Sequence, residues 1–115
     1  MIVPAPVQAA LIAALDDDEA ADRQRNRYLA RRAVLRPALE AAGWAVEHSE
    51  AGLYLWATRP GVDGWESARI LAEAGLLVSP GELYGTAGLQ YIRMALTATD
   101  ERIQAAASRL AALGR

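Results

Sequence analysis

At 115 residues the chain has the size of one domain, since domains run to roughly 100–200 residues, and its 53% hydrophobic residues with a mean hydropathy of +0.05 are enough for a sizeable core. A formal net charge of −2 gives no general attraction to nucleic acid or to an acidic membrane surface, and no run of about 18 apolar residues is present to span a bilayer. The absence of cysteine excludes disulfides and thiolate metal sites; all twelve basic residues are arginine, so no lysine is available to form a Schiff base with a carbonyl compound.

In chain order, the first ten residues lack the basic segment and continuous apolar stretch of a secretory signal, which makes a cytoplasmic protein the expectation. Val3-Pro4-Ala5-Pro6 predicts an extended entry, because each proline disfavours helix in the residue before it. A short helix over 7–15 follows, apolar nearly all round, as befits a helix buried between domains or subunits. Asp16-Asp17-Asp18-Glu19 supplies an N-cap and a negative first turn for a longer helix over 19–42, which Pro37 should kink or split near Arg36 and which Gly43 should stop.

Two strand-like runs, 44–48 and 53–58, joined by Ser49-Glu50-Ala51-Gly52, read as a β-hairpin. Asp63-Gly64-Trp65-Glu66 has capping-box spacing and opens a helix that ends at Gly75. A short strand over 76–79 is then broken by Pro80-Gly81, and the loop 82–88 leads into a strand over 89–96. A last helix starts at Thr99-Asp100-Glu101 and places Ile103, Ala106, Leu110 and Leu113 on one face. This order predicts an α+β fold: a small antiparallel or mixed sheet covered by helices, with an N-terminal linking helix.

Most clusters of polar residues have structural explanations. Arg23, Arg25, Arg27, Arg31, Arg32 and Arg36 recur at helical spacing beside an acidic run, which describes a solvated helix face better than a nucleic-acid patch. His48 is the only histidine and has no ligand set around it, so no metal site is expected. Trp44, Trp56 and Trp65 read as core and interface filler. The glycines between Gly81 and Gly88 match neither a dinucleotide fingerprint nor a phosphate loop.

Arg93 differs from these. It lies mid-strand in Leu89-Gln90-Tyr91-Ile92-Arg93-Met94-Ala95-Leu96, and alternation puts it on the face of Tyr91 and Ala95, opposite Ile92 and Met94. An arginine there must reach water at a sheet edge or find a carboxylate, because an unpaired buried guanidinium costs several kcal/mol. An internal ion pair, simple exposure and the gripping of an external carboxylate all stay open on this reasoning. The guanidinium is the side chain best suited to holding a planar carboxylate by two parallel hydrogen bonds.

The stretch from Gly52 to Leu110 resembles the C-terminal small domain of fold-type-I pyridoxal-phosphate (PLP) aminotransferases of class I/II. The resemblance is carried by Gly52-Leu53-Tyr54-Leu55-Trp56, then Ala74-Gly75-Leu76-Leu77-Val78, then Pro80-Gly81 with Tyr84-Gly85. Tyr91-Ile92-Arg93-Met94-Ala95-Leu96-Thr97 and Asp100-Glu101-Arg102-Ile103 follow in the same order. The segment from Val3 through Arg32 is similar to the family's stretch after the cofactor lysine. In Pro80–Gly85 and Ala95–Arg102 the wording is closest to succinyldiaminopimelate transaminases.

The resemblance implies that Arg93 grips the substrate α-carboxylate and that Pro80, Gly81, Tyr84 and Gly85 belong to a loop shaping the approach to it. It implies PLP as the cofactor of a longer parent. The cofactor lysine, the pyridine-nitrogen aspartate, the ring-stacking aromatic and the phosphate anchors have no counterpart here. No catalytic or cofactor-binding residue is therefore assigned to this chain, and alone it is expected to be inactive. Residues 1–18 would be an arm contacting a missing PLP-binding large domain, and 19–115 the small domain. The parent would be a homodimer moving an amino group between glutamate and an oxo-acid, N-succinyl-2-amino-6-oxopimelate being the nearest candidate, with no nucleic-acid or membrane partner. Two alternatives share these residues: another fold-type-I PLP enzyme such as a carbon–sulfur lyase, and a free-standing non-catalytic interaction or regulatory domain.

Overall fold

The computed structural model describes residues 3–114. Helix α1 spans Ala5–Leu15, starting two residues earlier than its sequence suggests. Pro6 falls in the first turn, where a missing N–H breaks no helical bond, so proline does not delay the start. None of its residues is buried. Val7, Leu11, Ile12 and Leu15 all face solvent. The helix stands away from the body: the radius of gyration is 16.9 Å, where a compact chain of this length would have about 13 Å.

Helix α2 runs unbroken from Asp18 to Ala41, capped by the Asp17 carboxylate, which accepts from the Ala20 N–H at 2.9 Å. The split expected at Pro37 does not occur. Proline frees the carbonyl of Ala33, and both residues lie on the exposed side where water can reach that oxygen. Leu35 and Leu39 flank it on the inner side and are fully buried, which holds the helix on its course.

The arginines of α2 divide into two sets. Arg23, Arg25, Arg27 and Arg36 are exposed and pair along the helix with Glu19, Asp22, Gln24 and Glu40, as a solvated face should. Arg31 and Arg32 do not belong to that face. Arg32 is only 8% exposed, donating to the carbonyls of Ser49 and of Gly52 (2.6 Å) and so tying the hairpin turn to the helix. Arg31 reaches Asp100 at 2.6 Å and the Leu96 carbonyl at 2.9 Å, fixing the start of the last helix. Helical periodicity placed them correctly along the chain but could not tell which side carried waiting carbonyls.

Strands β1 (Ala45–Glu47), β2 (Tyr54–Thr58), β3 (Ser79–Pro80) and β4 (Tyr91–Ala95) form one antiparallel sheet in the order β1-β2-β4-β3. The hairpin β1–β2 is present in the expected place. β3 is shorter and later than the strand expected over 76–79. Leu76 donates to the Leu71 carbonyl at 2.8 Å to close the helix before it, and Leu77 is 96% exposed, so that run finishes a helix. Pro80 pairs opposite Ile92 at the sheet edge, where its missing N–H costs no ladder bond.

Helices α3 (Gly64–Glu73) and α4 (Asp100–Leu113) join α2 on one face of the sheet. The core is built from Leu35, Leu39, Leu71, Ile103 and Leu110 of the helices against Val46, Leu55, Ala57, Ile92 and Met94 of the strands. Trp44 is buried there too, with the Arg59 guanidinium 4.7 Å from its ring centre. The architecture is the α+β layer that the element order implies, with an antiparallel sheet. Among the described residues no helix is long and apolar enough to cross a membrane.

Candidate functional site

The sheet face away from the helices carries the alternate residues of the same strands: Tyr54 and Trp56 of β2, Tyr91 and Arg93 of β4, Ser79 of β3. Arg93 stands opposite Trp56 on one side and Ser79 on the other, so it lies inside the sheet. Escape to water at an edge is not open to it. Nor does it form an ion pair with any carboxylate among the described residues.

Its guanidinium instead lies over two tyrosine rings, with the central carbon 4.0 Å from the Tyr54 ring centre and 4.6 Å from that of Tyr84. Attraction to the negative faces of the rings offsets part of the desolvation of the cation. The hydrogen-bonding need is not met, since Nε is enclosed and has no partner. With Nε enclosed, the outer nitrogens of the fork are the ones open to a planar anion approaching in the plane of the guanidinium.

Tyr54 reaches this position through strand alternation alone. Tyr84 arrives by a route that depends on glycine. After β3 the chain makes a short 3-10 turn, Gly81–Tyr84, and a second one, Thr86–Gly88. Gly81 and Gly88 touch backbone to backbone, so that a Cβ on either would overlap the other. Between the turns Gly85 adopts φ 122, a conformation open essentially to glycine. Trp65 at the start of α3 donates to Glu82 at 2.6 Å, pinning the first turn from outside.

Of the loop residues singled out from sequence, Tyr84 contacts Arg93 directly, while Pro80, Gly81 and Gly85 build the turn that presents it. Tyr54 was not singled out as a site residue. Its signal was available: it is two residues from Trp56 on a strand whose alternate positions are apolar core.

Beside the stacked guanidinium lies an open cavity of about 400 Å³ lined by His48, Trp56, Tyr84, Ala87, Gly88 and Tyr91. Trp56 meets Tyr84 edge-on at 5.5 Å and Tyr91 at 6.2 Å, so it belongs to this aromatic cluster and not to the apolar core. Trp65 is more than half exposed, and only Trp44 is core filler. The Tyr91 hydroxyl donates to Glu47 at 2.7 Å, and that bond to a carboxylate holds the phenol above the usual tyrosine range. His48 has its ring 6.4 Å from Tyr91 and a positive φ of 48. Among the described residues no group of three or more His, Cys, Asp or Glu is placed to hold a metal ion.

Known proteins are similar to this chain in sequence and in fold. A 4-dedimethylamino-4-oxo-anhydrotetracycline transaminase, OxyQ of Streptomyces rimosus, is 64% identical over 108 residues, which cover 94% of this chain and 30% of that protein. The structure of an aminotransferase from Staphylococcus aureus superposes with a TM-score of 0.79 at 31% identity, over 92% of this chain and 29% of the other. A probable N-succinyldiaminopimelate aminotransferase from Thermus thermophilus gives a TM-score of 0.64 at 31% identity, over 75% of this chain and 23% of the other. The chain thus spans less than a third of the length of these relatives. The family described as aminotransferase class I and II matches residues 1–110, nearly the whole of the sequence, and the chain belongs to that family.

Proposed function

We propose that this chain is the carboxylate-holding part of a longer PLP-dependent aminotransferase, and that Arg93 binds the α-carboxylate of the amino-acid and oxo-acid substrates. The observation that carries the proposal is the guanidinium packed on the rings of Tyr54 and Tyr84, with an enclosed and unpartnered Nε and no ion pair to a carboxylate among the described residues. Family membership implies PLP for the longer protein. The residues present do not fit the cofactor itself, because the chain has no lysine to hold it covalently. What this chain contributes is orientation: a carboxylate fixed in a plane sets how the rest of the substrate stands in the site, which lowers the entropic cost of the reaction.

The same proposal assigns residues 1–18 to contact with the large domain. An apolar helix with no buried residue, on a chain under a third of the relatives' length, favours that role. Family membership is also the ground for expecting a homodimer.

The reaction proposed is amino transfer between glutamate and an oxo-acid, with N-succinyl-2-amino-6-oxopimelate as acceptor. The fold likeness to the Thermus thermophilus protein supports that acceptor. The identity to the Streptomyces rimosus enzyme supports an oxo group on a different, polycyclic skeleton as the second candidate. Product analysis with both acceptors, following formation of 2-oxoglutarate, separates them.

The test of the Arg93 assignment uses the longer protein. Arg93→Ala should lower kcat/KM for carboxylate substrates by about 30-fold to several thousand-fold, the cost of removing one partner of an enclosed charge pair. Arg93→Lys should recover little, since a point charge lacks the planar fork. An unchanged kcat/KM in Arg93→Ala would overturn the assignment.

A further inference from the structure

We infer that Tyr54 and Tyr84 are positioning residues: both rings pack on the Arg93 guanidinium and so fix the plane in which it receives a carboxylate. The inference deepens the carboxylate-binding role proposed above and rests on it.

Arginine carries several rotatable bonds, and a free guanidinium would sample many planes. Here the central carbon lies within 4.6 Å of two ring centres, one from β2 and one from the turn after β3. A guanidinium that stays in contact with both rings has little freedom to tilt. Its enclosed Nε adds to this, because that nitrogen is closed to a ligand and leaves the outer end of the fork as the receiving edge. Neither tyrosine hydroxyl hydrogen-bonds to another described residue, so the rings and not the hydroxyls do the clamping.

The two rings differ in how they are held. Tyr54 is fixed in the register of β2 opposite Ala95. Tyr84 is exposed and depends on the Gly81–Gly88 contact, the Trp65–Glu82 bond and an edge contact to Trp56. The turn is therefore the adjustable jaw and the strand the fixed one. A substitution that moves the turn should misalign the fork without touching Arg93.

Two measurements test this. In the 115-residue chain, nitrogen-15 spectra of the Arg93 Nε–H should show slow exchange with water. That protection should persist in Tyr54→Phe and Tyr84→Phe and be lost in Tyr54→Leu and Tyr84→Leu, whose backbone spectra report whether the fold is kept. In the longer enzyme, each leucine variant should lower kcat/KM for an amino-acid donor by about 5- to 30-fold, the range of a stacked cation on one ring. Each phenylalanine variant should stay near wild type. A primary amine without an α-carboxylate should react equally with all five proteins.

Equal losses with and without the α-carboxylate would make the rings merely structural and overturn the inference. So would phenylalanine variants as impaired as the leucine ones. A crippled Arg93→Ala beside unimpaired leucine variants would overturn the clamp alone, leaving the carboxylate role of Arg93 standing. An unimpaired Arg93→Ala would overturn both.

Discussion

The two faces of the four-stranded sheet are made from alternate residues of the same strands, yet they obey different rules. Val46, Leu55, Ala57, Ile92 and Met94 point inward and pack against three helices. Tyr54, Trp56, Tyr91 and Arg93 point outward, remain partly exposed and contact one another through ring faces and edges. The inner face is bound by volume: any atom lost leaves a gap. The outer face is bound by orientation: what matters there is the direction of a fork, a ring plane or a hydroxyl. A single strand of five residues, β4, therefore carries core side chains and the proposed carboxylate fork side by side with a spacing of one residue.

That separation is easiest to break from the inside. Leu55→Ala should destabilise the fold by about 2–5 kcal/mol, the cost of truncating a fully buried leucine in a core that cannot collapse around it. Thermal or denaturant unfolding measures it. If the faces are as distinct as their contacts indicate, Arg93→Ala on the neighbouring strand should change stability by no more than about 1 kcal/mol, because two cation–ring contacts are lost while an unpaired enclosed nitrogen is removed. A loss at Arg93 comparable to that at Leu55 would show that the outer face is a second core and not a recognition surface.

Arg32→Ala should have the next largest effect, about 1–3 kcal/mol, since the carbonyls of Ser49 and Gly52 lose their donor. It sharpens the comparison because Arg32 and Arg93 are both poorly exposed cations with an unpaired Nε. Arg32 gives both of its terminal nitrogens to carbonyls of its own chain; Arg93 has no such partner among the described residues. Only the second should bind added carboxylate, and acetate titration followed by nitrogen-15 shifts should move Arg93 and leave Arg32 in place.

Much of this was legible in the sequence where one physical rule governed the outcome. Alternation placed Arg93 opposite Ile92 and Met94, and capping chemistry placed the start of α3 at Asp63, whose carboxylate accepts from Glu66 N–H at 2.8 Å. The illegible parts are those decided by a distant partner. Arg31 and Arg32 share the helical spacing of the solvated face, yet the Leu96, Ser49 and Gly52 carbonyls, distant in sequence, draw them inward. Pro37 looked like a break, and the burial of Leu35 and Leu39 on either side outweighed it. Alternation puts Tyr54 on the outer face with Trp56, but its partner there, a guanidinium from a strand much further along the chain, is set by the fold. The loop residues Pro80, Gly81, Tyr84 and Gly85 stood out as a turn, but how glycine contacts would aim the tyrosine was not readable from spacing.

The smallest effect concerns the rim of the outer face, where Tyr91 of β4 donates to Glu47 of β1. The bond to the Glu47 carboxylate, helped by burial and by the repulsion between that charge and a phenolate, raises the pKa of Tyr91 in the fold. A group whose folded pKa is raised lends stability that is complete below its unfolded pKa and disappears as pH climbs through the folded one. The contact should therefore be intact at neutral pH and fade only in the alkaline range. Ultraviolet titration of phenolate absorbance should find a phenol ionising above the usual tyrosine range, and Tyr91→Phe should remove it. In Glu47→Gln the amide oxygen still accepts the hydrogen bond but carries no charge, so the late titration should move only part of the way back. If the inner and outer faces are independent, none of these variants should shift the unfolding midpoint at neutral pH by more than a few degrees. A Glu47→Gln protein that unfolded markedly earlier would mean that this rim contact holds β1 to the sheet, joining the two faces where the packing keeps them apart.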